Sequence, residues 1–412
     1  MNKSVLQQTL KTGIKILATL VLLAGLSTIL KAHTPSRATV SAQPGSSQLE
    51  RFSIIAPQLQ ITQREIYVYL PPDYAVTTKS YPVIYIHDGS MLFSTNGGHD
   101  VRFDEILNNL YQHGETEGII AVGIASSENR WDEYSPWVND NMDLWVGSTP
   151  GVPKGGEGDA YLDFIVNTLK PEIDSRYRTL PDQEHTAIGG FSMGGLISIY
   201  AGLEYPNVFS KVLAHSPAVW FAEADRAWRS NNYLIKLIEQ GNAPQEVKFY
   251  LDIGTNEWAD KALPLTDAQG QPYTYPFIWL DGTEAVYDAL KTYGVPSSNL
   301  LLVVDEGGEH VPAAWNARFA DAVMWLWSKQ EIDETTSVVT AIPPTPTAAA
   351  AAASPSPIAA HTPGTEPEEQ LSEKVSTAEK GVLYAIGALV ILSSGLIFQK
   401  LARDYARKNP KQ

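Results

Sequence analysis

The stretch GFSMGGL, residues 190–196, sets a serine between glycines. Gly190, Ser192 and Gly194 match the pattern G-x-S-x-G, with an apolar run before it and a helical pattern after it. A sharp strand-to-helix turn strains the backbone of its serine, and the residues two before and two after must then lack side chains. Such a turn exposes the hydroxyl at a helix N-terminus, where the N–H of Met193 points at a developing oxyanion. The pattern therefore predicts a nucleophile at Ser192, against the alternative of a plain glycine-rich turn.

A serine hydroxyl is unreactive alone, so a nucleophile at Ser192 requires a general base and an acid that orients the base. His310 follows the last predicted strand through two glycines, in VVDEGGEHVPAAW, and precedes a long helical pattern. This is the place of the general base when the chain order is serine, acid, histidine. His215 also follows Ser192, but it ends the segment KVLAHS and is predicted to be a strand-end packing or turn residue.

The acid is expected in the loop after the segment VKFYLDIG, which offers three carboxylates. Asp252 lies inside the end of the predicted strand, and we expect it to make structural hydrogen bonds. Glu257 stands just beyond the strand in GTNEW, and Asp260 is the alternative further along the loop. A buried carboxylate here would hold the imidazole in the correct tautomer and stabilise it once charged. We predict Glu257 as the acid.

Strands and helices must position these residues, and the sequence predicts them as apolar runs that alternate with helical patterns. Several of the runs are apolar on both faces, which is typical of strands in a sheet that helices cover on both sides. The predicted strands are REIYVYL (64–70), YPVIYIH (81–87), GIIAVGIA (118–125), HTAIGGF (185–191), KVLAHS (211–216), VKFYLDIG (247–254) and LLVVDE (301–306). Helical periodicity covers 159–177, 195–206, 281–294 and 312–330. This order predicts an α/β fold with a largely parallel sheet.

Four segments carry a resemblance to a known family. YPVIYIHDGSMLF, GFSMGGLISIYAGLEYPNVF, YLDIGTNE and EGGEHVPAAWNARFADAVMWLW resemble the putative esterase family of α/β-hydrolases, which includes esterase D, enterochelin esterases, feruloyl esterases and mycolyltransferases. The similarity runs from about residue 50 to residue 330. It implies the α/β-hydrolase fold, with Ser192 as nucleophile, Glu257 as acid and His310 as base.

The same resemblance implies further parts of a site. The loop HDGSMLF would supply the second oxyanion N–H, from Ser90 or Met91. Residues 128–137 and 147–161 would line or cover the substrate cleft. Five tryptophans are candidates for an aromatic cleft that takes an acyl or aryl group, and we expect one or two of them to touch substrate: Trp131, Trp137, Trp145, Trp220 and Trp258.

The composition excludes several classes of function. Lys and Arg total 30 against 46 Asp and Glu, and the net charge of −16 repels phosphate backbones, so nucleic-acid binding is not expected. Cysteine is absent, which excludes disulfides, cysteine metal sites and thiol nucleophiles. The sequence has no phosphate-binding or dinucleotide-binding motif, and His99 and Asp100 near IHDG lack the spacing of a metal site. We expect neither a cofactor nor a metal.

Both ends of the chain carry apolar runs. Residues 13–30 follow Lys3 and Lys11 and are predicted to be an export signal or an uncleaved anchor. Residues 381–398 are free of charge, and the lysines and arginines after them favour the cytoplasm by the positive-inside rule. Residues 341–369 are rich in Pro, Ala and Thr and cannot bury a core, which predicts a stalk.

The expected organisation is an N-terminal signal or anchor (1–44), an α/β-hydrolase domain (45–335), a disordered stalk (336–378) and a transmembrane helix with a basic cytoplasmic tail (379–412). Because both basic flanks favour the cytoplasm, the catalytic domain is expected outside it, at the cell membrane. We predict a membrane-tethered serine esterase. An acyltransferase of the same fold, and a surface binding protein that keeps the fold without turnover, are the alternatives. The expected partners are the lipid bilayer and a small-molecule or glycoconjugate ester, and the sequence leaves open whether that ester is a siderophore, an aryl-carbohydrate ester, a glycolipid or a simple acyl ester. It also leaves the oligomeric state open.

Overall fold

The computed structural model describes residues 47–93, 101–140, 142, 151–223, 231–241, 243–261, 273–327 and 338–340. Both apolar terminal runs and the segment 341–369 lie outside these residues, as do His99, Asp100 and Trp145. Within the described part, no helix has the length and the apolar character that a bilayer crossing needs.

The strands of the described residues form one nine-stranded sheet and a two-stranded ribbon. In chain order they are β1 (Gln48–Ala56), β2 (Ile61–Leu70), β3 (Val83–His87), β4 (Ile120–Ile124), β5 (Val138–Asn139), β6 (Lys154–Gly155), β7 (Thr186–Phe191), β8 (Lys211–His215), β9 (Lys248–Gly254), β10 (Leu300–Asp305) and β11 (Val338–Thr340). The spatial order of the large sheet is β1-β2-β4-β3-β7-β8-β9-β10-β11. The β1–β2 and β2–β4 pairs are antiparallel, and the other neighbours in this sheet are parallel.

Helices connect these strands and cover the sheet. In the described residues they are α1 (Phe103–Gln112), α2 (Arg130–Glu133), α3 (Gly158–Phe164), α4 (Lys170–Arg176), α5 (Met193–Glu204), α6 (Tyr233–Glu239), α7 (Tyr275–Thr292) and α8 (Pro312–Trp327). A π-helical turn, Ile165–Leu169, joins α3 to α4. The helix that follows β7, α5, is buried from Met193 to Leu203, so it lies inside the fold.

Apolar side chains alternate along the strands and build two hydrophobic cores, one on each face of the sheet. On β8, for example, Val212 and Ala214 belong to one core and Leu213 belongs to the other. Helices α3, α5, α6 and α7 contribute side chains to the first core, and α1 and α8 contribute to the second. Because both faces are covered, the central strands are apolar on both sides.

The predicted α/β order with a largely parallel sheet is confirmed, and each strand predicted from an apolar run is present. Seven elements were not predicted from the sequence: β1, α1, α2, β5, β6, α6 and β11. β1 alternates exposed and half-buried residues at the sheet edge, so it lacks a continuous apolar run. β11 pairs with Leu302–Val304 of β10, so the sheet extends past residue 335, the predicted end of the domain.

Candidate active site

Ser192 lies between β7, which ends at Phe191, and α5, which begins at Met193. Its backbone has φ 60° and ψ −122°, a conformation that residues with side chains rarely adopt. Two backbone hydrogen bonds hold the turn: the Ser192 N–H donates to the His215 carbonyl at 3.0 Å, and the Ala218 N–H donates to the Ser192 carbonyl at 2.9 Å. The predicted strand-to-helix turn is confirmed, with the serine at the start of a helix.

The two flanking glycines are needed because this turn is crowded. A Cβ on Gly190 would lie 3.0 Å from the Gly194 carbonyl carbon and 3.0 Å from Cδ2 of His87. A Cβ on Gly194 would lie 3.2 Å from Cβ of His87. Both contacts are closer than ordinary van der Waals packing, so a side chain at either position would push the turn away from the end of β3.

Ser192, Glu257 and His310 follow three strands of the same part of the sheet. Ser192 comes directly after β7, Glu257 comes shortly after β9, and His310 comes shortly after β10. β8 separates β7 from β9, and β10 is the next neighbour of β9. Because these strands are parallel, their carboxyl ends lie at one edge of the sheet, where α/β folds place their ligand sites.

Glu257 and His310 form a hydrogen bond at this edge. His310 Nδ1 lies 2.7 Å from Glu257 Oε2, and the two side chains are 6% and 0% exposed. The side chain of Asp260, the alternative acid, is 71% exposed and pairs with Lys261. Of these two carboxylates, the structure therefore places Glu257 against the histidine.

Hydrogen-bond donors surround the buried carboxylate of Glu257. Its Oε1 accepts from the Gly254 N–H at 2.9 Å and from Ser216 Oγ at 2.6 Å, while Oε2 faces His310. These bonds replace the water that a buried carboxylate loses. Since a carboxylate only accepts, His310 Nδ1 carries the proton of their shared bond. Nε2 of the neutral ring is then the nitrogen that is able to accept a proton.

Three tryptophans pack around the His310 ring. Its centroid lies 4.4 Å from that of Trp279, and 5.2 Å from those of Trp258 and Trp315. Trp315 also stacks on Phe191, the residue before the nucleophile, with ring centroids 4.6 Å apart and an angle of 3° between the planes. This packing restricts the histidine rotamer and connects the ring to the serine turn.

In the described residues, the contacts between Ser192 and His310 run through Phe191 and Trp315, and no direct hydrogen bond joins the hydroxyl to the ring. Catalytic hydrogen bonds are often long or poorly aligned without substrate and tighten in the Michaelis complex. The structure thus brings the predicted acid and base into contact, and the predicted nucleophile lies at the same edge of the sheet.

The predicted oxyanion loop follows β3. Asp88 has φ 59°, and a short 3₁₀ turn covers Gly89–Met91. A Cβ on Gly89 would lie 2.6 Å from a carbonyl oxygen of β4, so the backbone approaches too closely for any other residue. The Met91 N–H donates to the Asp88 carbonyl at 3.0 Å and is therefore engaged within the loop. Ser90 and Met91 both stay candidates for the second oxyanion donor.

The first predicted donor is the N–H of Met193. Met193 is the first residue of α5, and the first N–H groups of a helix have no carbonyl one turn earlier to bind. The positive end of the helix macrodipole adds to their attraction for an oxyanion. The start of α5 therefore offers a donor next to the Ser192 hydroxyl.

Polar side chains hold the predicted oxyanion loop, which follows β3. Arg130 Nε and Nη2 donate to the two carboxylate oxygens of Asp88 at 2.7 and 2.8 Å, and the Asp88 N–H donates to Tyr134 Oη at 3.1 Å. His87 Nδ1 lies 2.8 Å from Tyr161 Oη. Burial lowers the pKa of His87 to about 3, although Asp88 opposes the shift, so the ring is neutral at physiological pH. His87 therefore packs under the turn without bringing a charge to it.

His215 and Asp252 form a buried pair at the ends of β8 and β9. His215 Nδ1 hydrogen-bonds the Asp252 carboxylate, and both side chains are 0% exposed. The carboxylate also accepts from the Ser216 N–H at 3.3 Å. Burial acts to raise the pKa of Asp252, but Arg318 and His215 together hold it below its usual value. Both residues thus make the structural contacts expected of them.

The tryptophans singled out from the sequence lie in different places. Trp258 lies beside His310, as described above. Trp220 is 4% exposed and belongs to the core, and the half-buried Trp131 packs against it with ring centroids 6.3 Å apart. Trp137 packs instead on tyrosines of α5 and α6. Of the four that the structure describes, Trp258 is the one in contact with a predicted catalytic residue.

One group of side chains outside this site has the donors of a cation site. Asp182, Glu184 and His185 each place one ligand atom within 4.8 Å of the others. The two carboxylates are exposed, and His185 Nδ1 lies 2.8 Å from Asp182 Oδ1. These residues precede β7, so they lie at the opposite edge of the sheet from Ser192.

Replacement of Glu257 by glutamine is expected to lower kcat by about 10²-fold to 10³-fold. The amide fills the same space, but it no longer orients the imidazole through a carboxylate or stabilises its charged form. Asp260→Asn is the matched control and should leave kcat within about two-fold, because an exposed rim charge that touches no reacting group contributes little. Steady-state ester kinetics check both variants. A larger loss for Asp260→Asn would exchange the two assignments.

Comparison with known proteins identifies the family of this chain. The family model described as "Putative esterase" matches residues 61–326 of the chain. The uncharacterized protein YbbA of Bacillus subtilis is 28% identical over 266 residues, which cover 65% of this chain and 93% of that protein. The siderophore triacetylfusarinine C esterase of Aspergillus fumigatus is 29% identical over 34% of this chain and 45% of its own length. The chain thus spans about half the length of that esterase.

A solved structure shows the same fold. An IroE-like serine hydrolase from Shewanella oneidensis is 21% identical and has a TM-score of 0.51, over 68% of this chain and 79% of that one. At this identity the likeness concerns the α/β-hydrolase fold, with its mostly parallel sheet between helices. Because the family model covers more than half of the sequence and the fold agrees with it, this chain belongs to the Putative esterase family of α/β-hydrolases.

Proposed function

We propose that this chain is a serine esterase that hydrolyses carboxylic esters through an acyl-enzyme on Ser192. The observation that carries the proposal is the buried hydrogen bond between Glu257 and His310, at the sheet edge where Ser192 occupies its strained turn. Unlike the fully buried His215–Asp252 pair, the Glu257–His310 pair follows β9 and β10 at the edge that also carries the strained serine turn, which is the arrangement that a serine nucleophile requires of its acid and base. The family match supports the same class of reaction.

In the proposed mechanism, Ser192 Oγ attacks the ester carbonyl while His310 Nε2 accepts its proton. Glu257 holds the protonated ring and stabilises its charge. The N–H groups of Met193 and of Ser90 or Met91, in the loop after β3, donate to the oxyanion of the tetrahedral intermediate. His310 then gives its proton to the leaving alkoxide, which departs as the alcohol. Water, deprotonated by His310, attacks the acyl-enzyme, releases the acid and restores Ser192.

For the substrate, we propose an ester with an apolar or aromatic group next to its carbonyl. Trp258 is half-buried against His310 and offers a flat apolar surface beside the base. Relatives that share part of the chain include the siderophore triacetylfusarinine C esterase and the ferri-bacillibactin esterase BesA of Bacillus subtilis, at 29% and 26% identity. Siderophore esters and aryl esters are therefore the first classes to test.

A panel of esters tests the proposed reaction. Purified full-length chain is offered p-nitrophenyl acyl esters of increasing length, methyl esters of aromatic acids, and an ester siderophore, and kcat/KM is measured for each. The proposal expects turnover of at least one class, with the corresponding amides hydrolysed far more slowly. Absence of turnover across the whole panel would contradict it. Product formed only when an acceptor alcohol is added would instead indicate an acyltransferase.

We further propose that the esterase domain is tethered to the membrane and lies outside the cytoplasm. Residues 13–30 and 381–398 are apolar runs, each with basic residues on the side that favours the cytoplasm. The Pro-rich and Ala-rich segment 341–369 between the domain and the second run has the composition of a stalk.

Protease added outside intact cells should cut this chain in the segment 341–369, because exposed unstructured backbone is the easiest to cleave. The released piece, detected by its mass, should keep esterase activity. A shortened chain of residues 45–340, which keeps β11, should likewise be active without detergent, since both apolar runs are removed. Full-length chain that stays uncut on intact cells, but is cut after lysis, would place the domain inside and contradict the topology.

A further inference from the structure

Arg318 of α8 is a buried arginine that the proposed mechanism does not use. It is 2% exposed, and its three guanidinium nitrogens face three different groups. Nη1 donates to the carboxylate of Asp305 at the end of β10, and Nη2 donates to Ser216 Oγ at 3.2 Å. Nε lies 3.1 Å from Asp252 Oδ1, close enough for an ion pair, although its N–H is not aligned for a hydrogen bond.

Ser216 connects this arginine to the predicted acid. Its hydroxyl donates to Glu257 Oε1 at 2.6 Å and accepts from Arg318 Nη2 and from Trp315 Nε1, both at 3.2 Å. Ser216 is itself 0% exposed and has φ 41°, so its backbone is held in an unusual conformation at the end of β8. The hydroxyl has one proton to donate. Because Arg318 and Trp315 both present N–H donors to the hydroxyl oxygen, the hydroxyl donates this proton to the Glu257 carboxylate.

The other end of the guanidinium acts on the loop that carries the histidine. Asp305 begins that loop, and its carbonyl accepts from the Gly308 N–H at 3.0 Å and from the Thr255 N–H at 2.9 Å. The Gly308 carbonyl accepts from the Asn256 N–H at 2.9 Å. A Cβ on Gly308 would lie 3.0 Å from Arg318 Nη1, so the loop packs directly on the guanidinium.

Charges in this cluster make the arginine necessary. The carboxylates of Asp252 and Asp305 pair with it, and that of Glu257 lies on the other side of the Ser216 hydroxyl. Burial acts to lower the pKa of Arg318, but attraction to Asp252, the hydrogen bond and attraction to Asp305, and attraction to Glu257 together raise it. His215 lies on the far side of Asp252. Without the guanidinium, the carboxylates would face one another in a medium of low dielectric constant and would repel.

We propose that Arg318 is a positioning residue for the acid and base: through Ser216 it fixes the Glu257 carboxylate, and through Asp305 it fixes the loop that presents His310. The proposal rests on the esterase function proposed above. Arg318 itself touches neither substrate nor reacting atoms. Its planar fork reaches three partners in fixed directions, which the single ammonium of a lysine does not reproduce.

Two variants test this proposal on the full-length chain. Ser216→Ala removes one hydroxyl without changing the core volume, and Arg318→Lys keeps the charge but loses the fork. Each is expected to lower kcat for the best ester by about 10-fold to 10²-fold, because a small misplacement of the base is costly, while KM stays within about two-fold. Ser216→Ala keeps the test decisive should Arg318→Lys fold poorly.

A matched control separates positioning from stability. Arg178 is also partly buried and donates through its guanidinium, to the carbonyls of Tyr74 and Lys79, but it precedes β7 at the opposite edge of the sheet. Arg178→Lys should lower the melting temperature and leave kcat unchanged. The ¹H NMR signal of the His310 Nδ1 proton, assigned by its loss in His310→Ala, gives a second readout, since it reports the bond to Glu257 directly.

The expected result is that this proton signal shifts or broadens in Ser216→Ala and Arg318→Lys but not in Arg178→Lys. Wild-type kcat together with a wild-type signal in Ser216→Ala, whatever its melting temperature, would overturn the proposal. Failure of the esterase function looks different, because the wild-type chain itself would then turn over no ester. The proton signal would still show whether Arg318 and Ser216 position the Glu257–His310 pair.

Discussion

Ser192→Ala is expected to lower kcat for ester hydrolysis by about 10⁵-fold or more, because the variant has no atom on which an acyl-enzyme forms. Removal of the Ser192 hydroxyl is not expected to disturb the packing of the fold, so a loss of kcat would report on the chemistry. Ser192 lies half-buried at the turn between β7 and α5, and among the described residues its hydroxyl makes no capping hydrogen bond to the start of α5. The melting temperature should therefore stay close to that of the wild type.

Ser198→Ala is the matched control for this prediction. Ser198 lies in the same helix, is 0% exposed and donates to the Gly194 carbonyl at 2.6 Å, but it is on the interior side of α5. This variant should keep kcat within a few-fold even if its stability falls. A Ser192→Ala variant that retained more than a small fraction of wild-type turnover would show that another residue is the nucleophile.

His310→Ala is expected to lower kcat by about 10³-fold or more, since the base acts in both acylation and deacylation. The loss should exceed that of Glu257→Gln, because glutamine leaves the imidazole in place. KM should change little, as the ring takes a proton rather than holding the substrate. Steady-state and pre-steady-state kinetics with a p-nitrophenyl ester measure both steps.

An exposed histidine supplies the control for that measurement. His113 follows α1 and its ring nitrogen faces only the Asn109 carbonyl, so His113→Ala should leave kcat unchanged. The outcome that contradicts the assignment is a His310→Ala variant with nearly full activity. Loss of activity in His215→Gln without loss of folding would then point to the buried His215–Asp252 pair as the acid and base.

The central strands could be predicted because helices cover both sheet faces. Residues such as Ile84, Ala187 and Leu213 are buried on one face while their neighbours are buried on the other, so each strand appears as a continuous apolar run. β1 is half exposed at the sheet edge and carries no such run. Short edge elements depend on their neighbours for stability, and that information is not local in the sequence.

Part of the candidate site could also be predicted, because local sequence patterns mark two of its residues. Ser192 lies in a turn whose shape demands glycines, and His310 follows a strand through two glycines, so local sequence marks both positions. The choice of Glu257 over Asp260 depends on burial and on the hydrogen bond to the histidine, which the structure supplies.

Ser216, Trp315 and Arg318 were not singled out from the sequence. Ser216 is the last residue of the predicted strand KVLAHS, and its contact with Glu257 joins residues far apart along the chain. Trp315 and Arg318 occupy one face of the apolar helix α8, where tryptophan is a common core residue. The sequence did carry one signal for Arg318, namely a charged residue on the apolar face of a helical pattern. Such a residue indicates a buried polar contact, because buried arginines require partners.

Covalent labelling tests the central claim most directly. The full-length chain is treated with a fluorophosphonate, which reacts with activated serines, and the labelled peptide is identified by mass spectrometry. The account predicts one label, on Ser192, with labelling slowed strongly in His310→Ala and absent in Ser192→Ala. A label on another serine, or equal labelling in wild type and Ser192→Ala, would contradict the assignment of Ser192 as the nucleophile of this esterase.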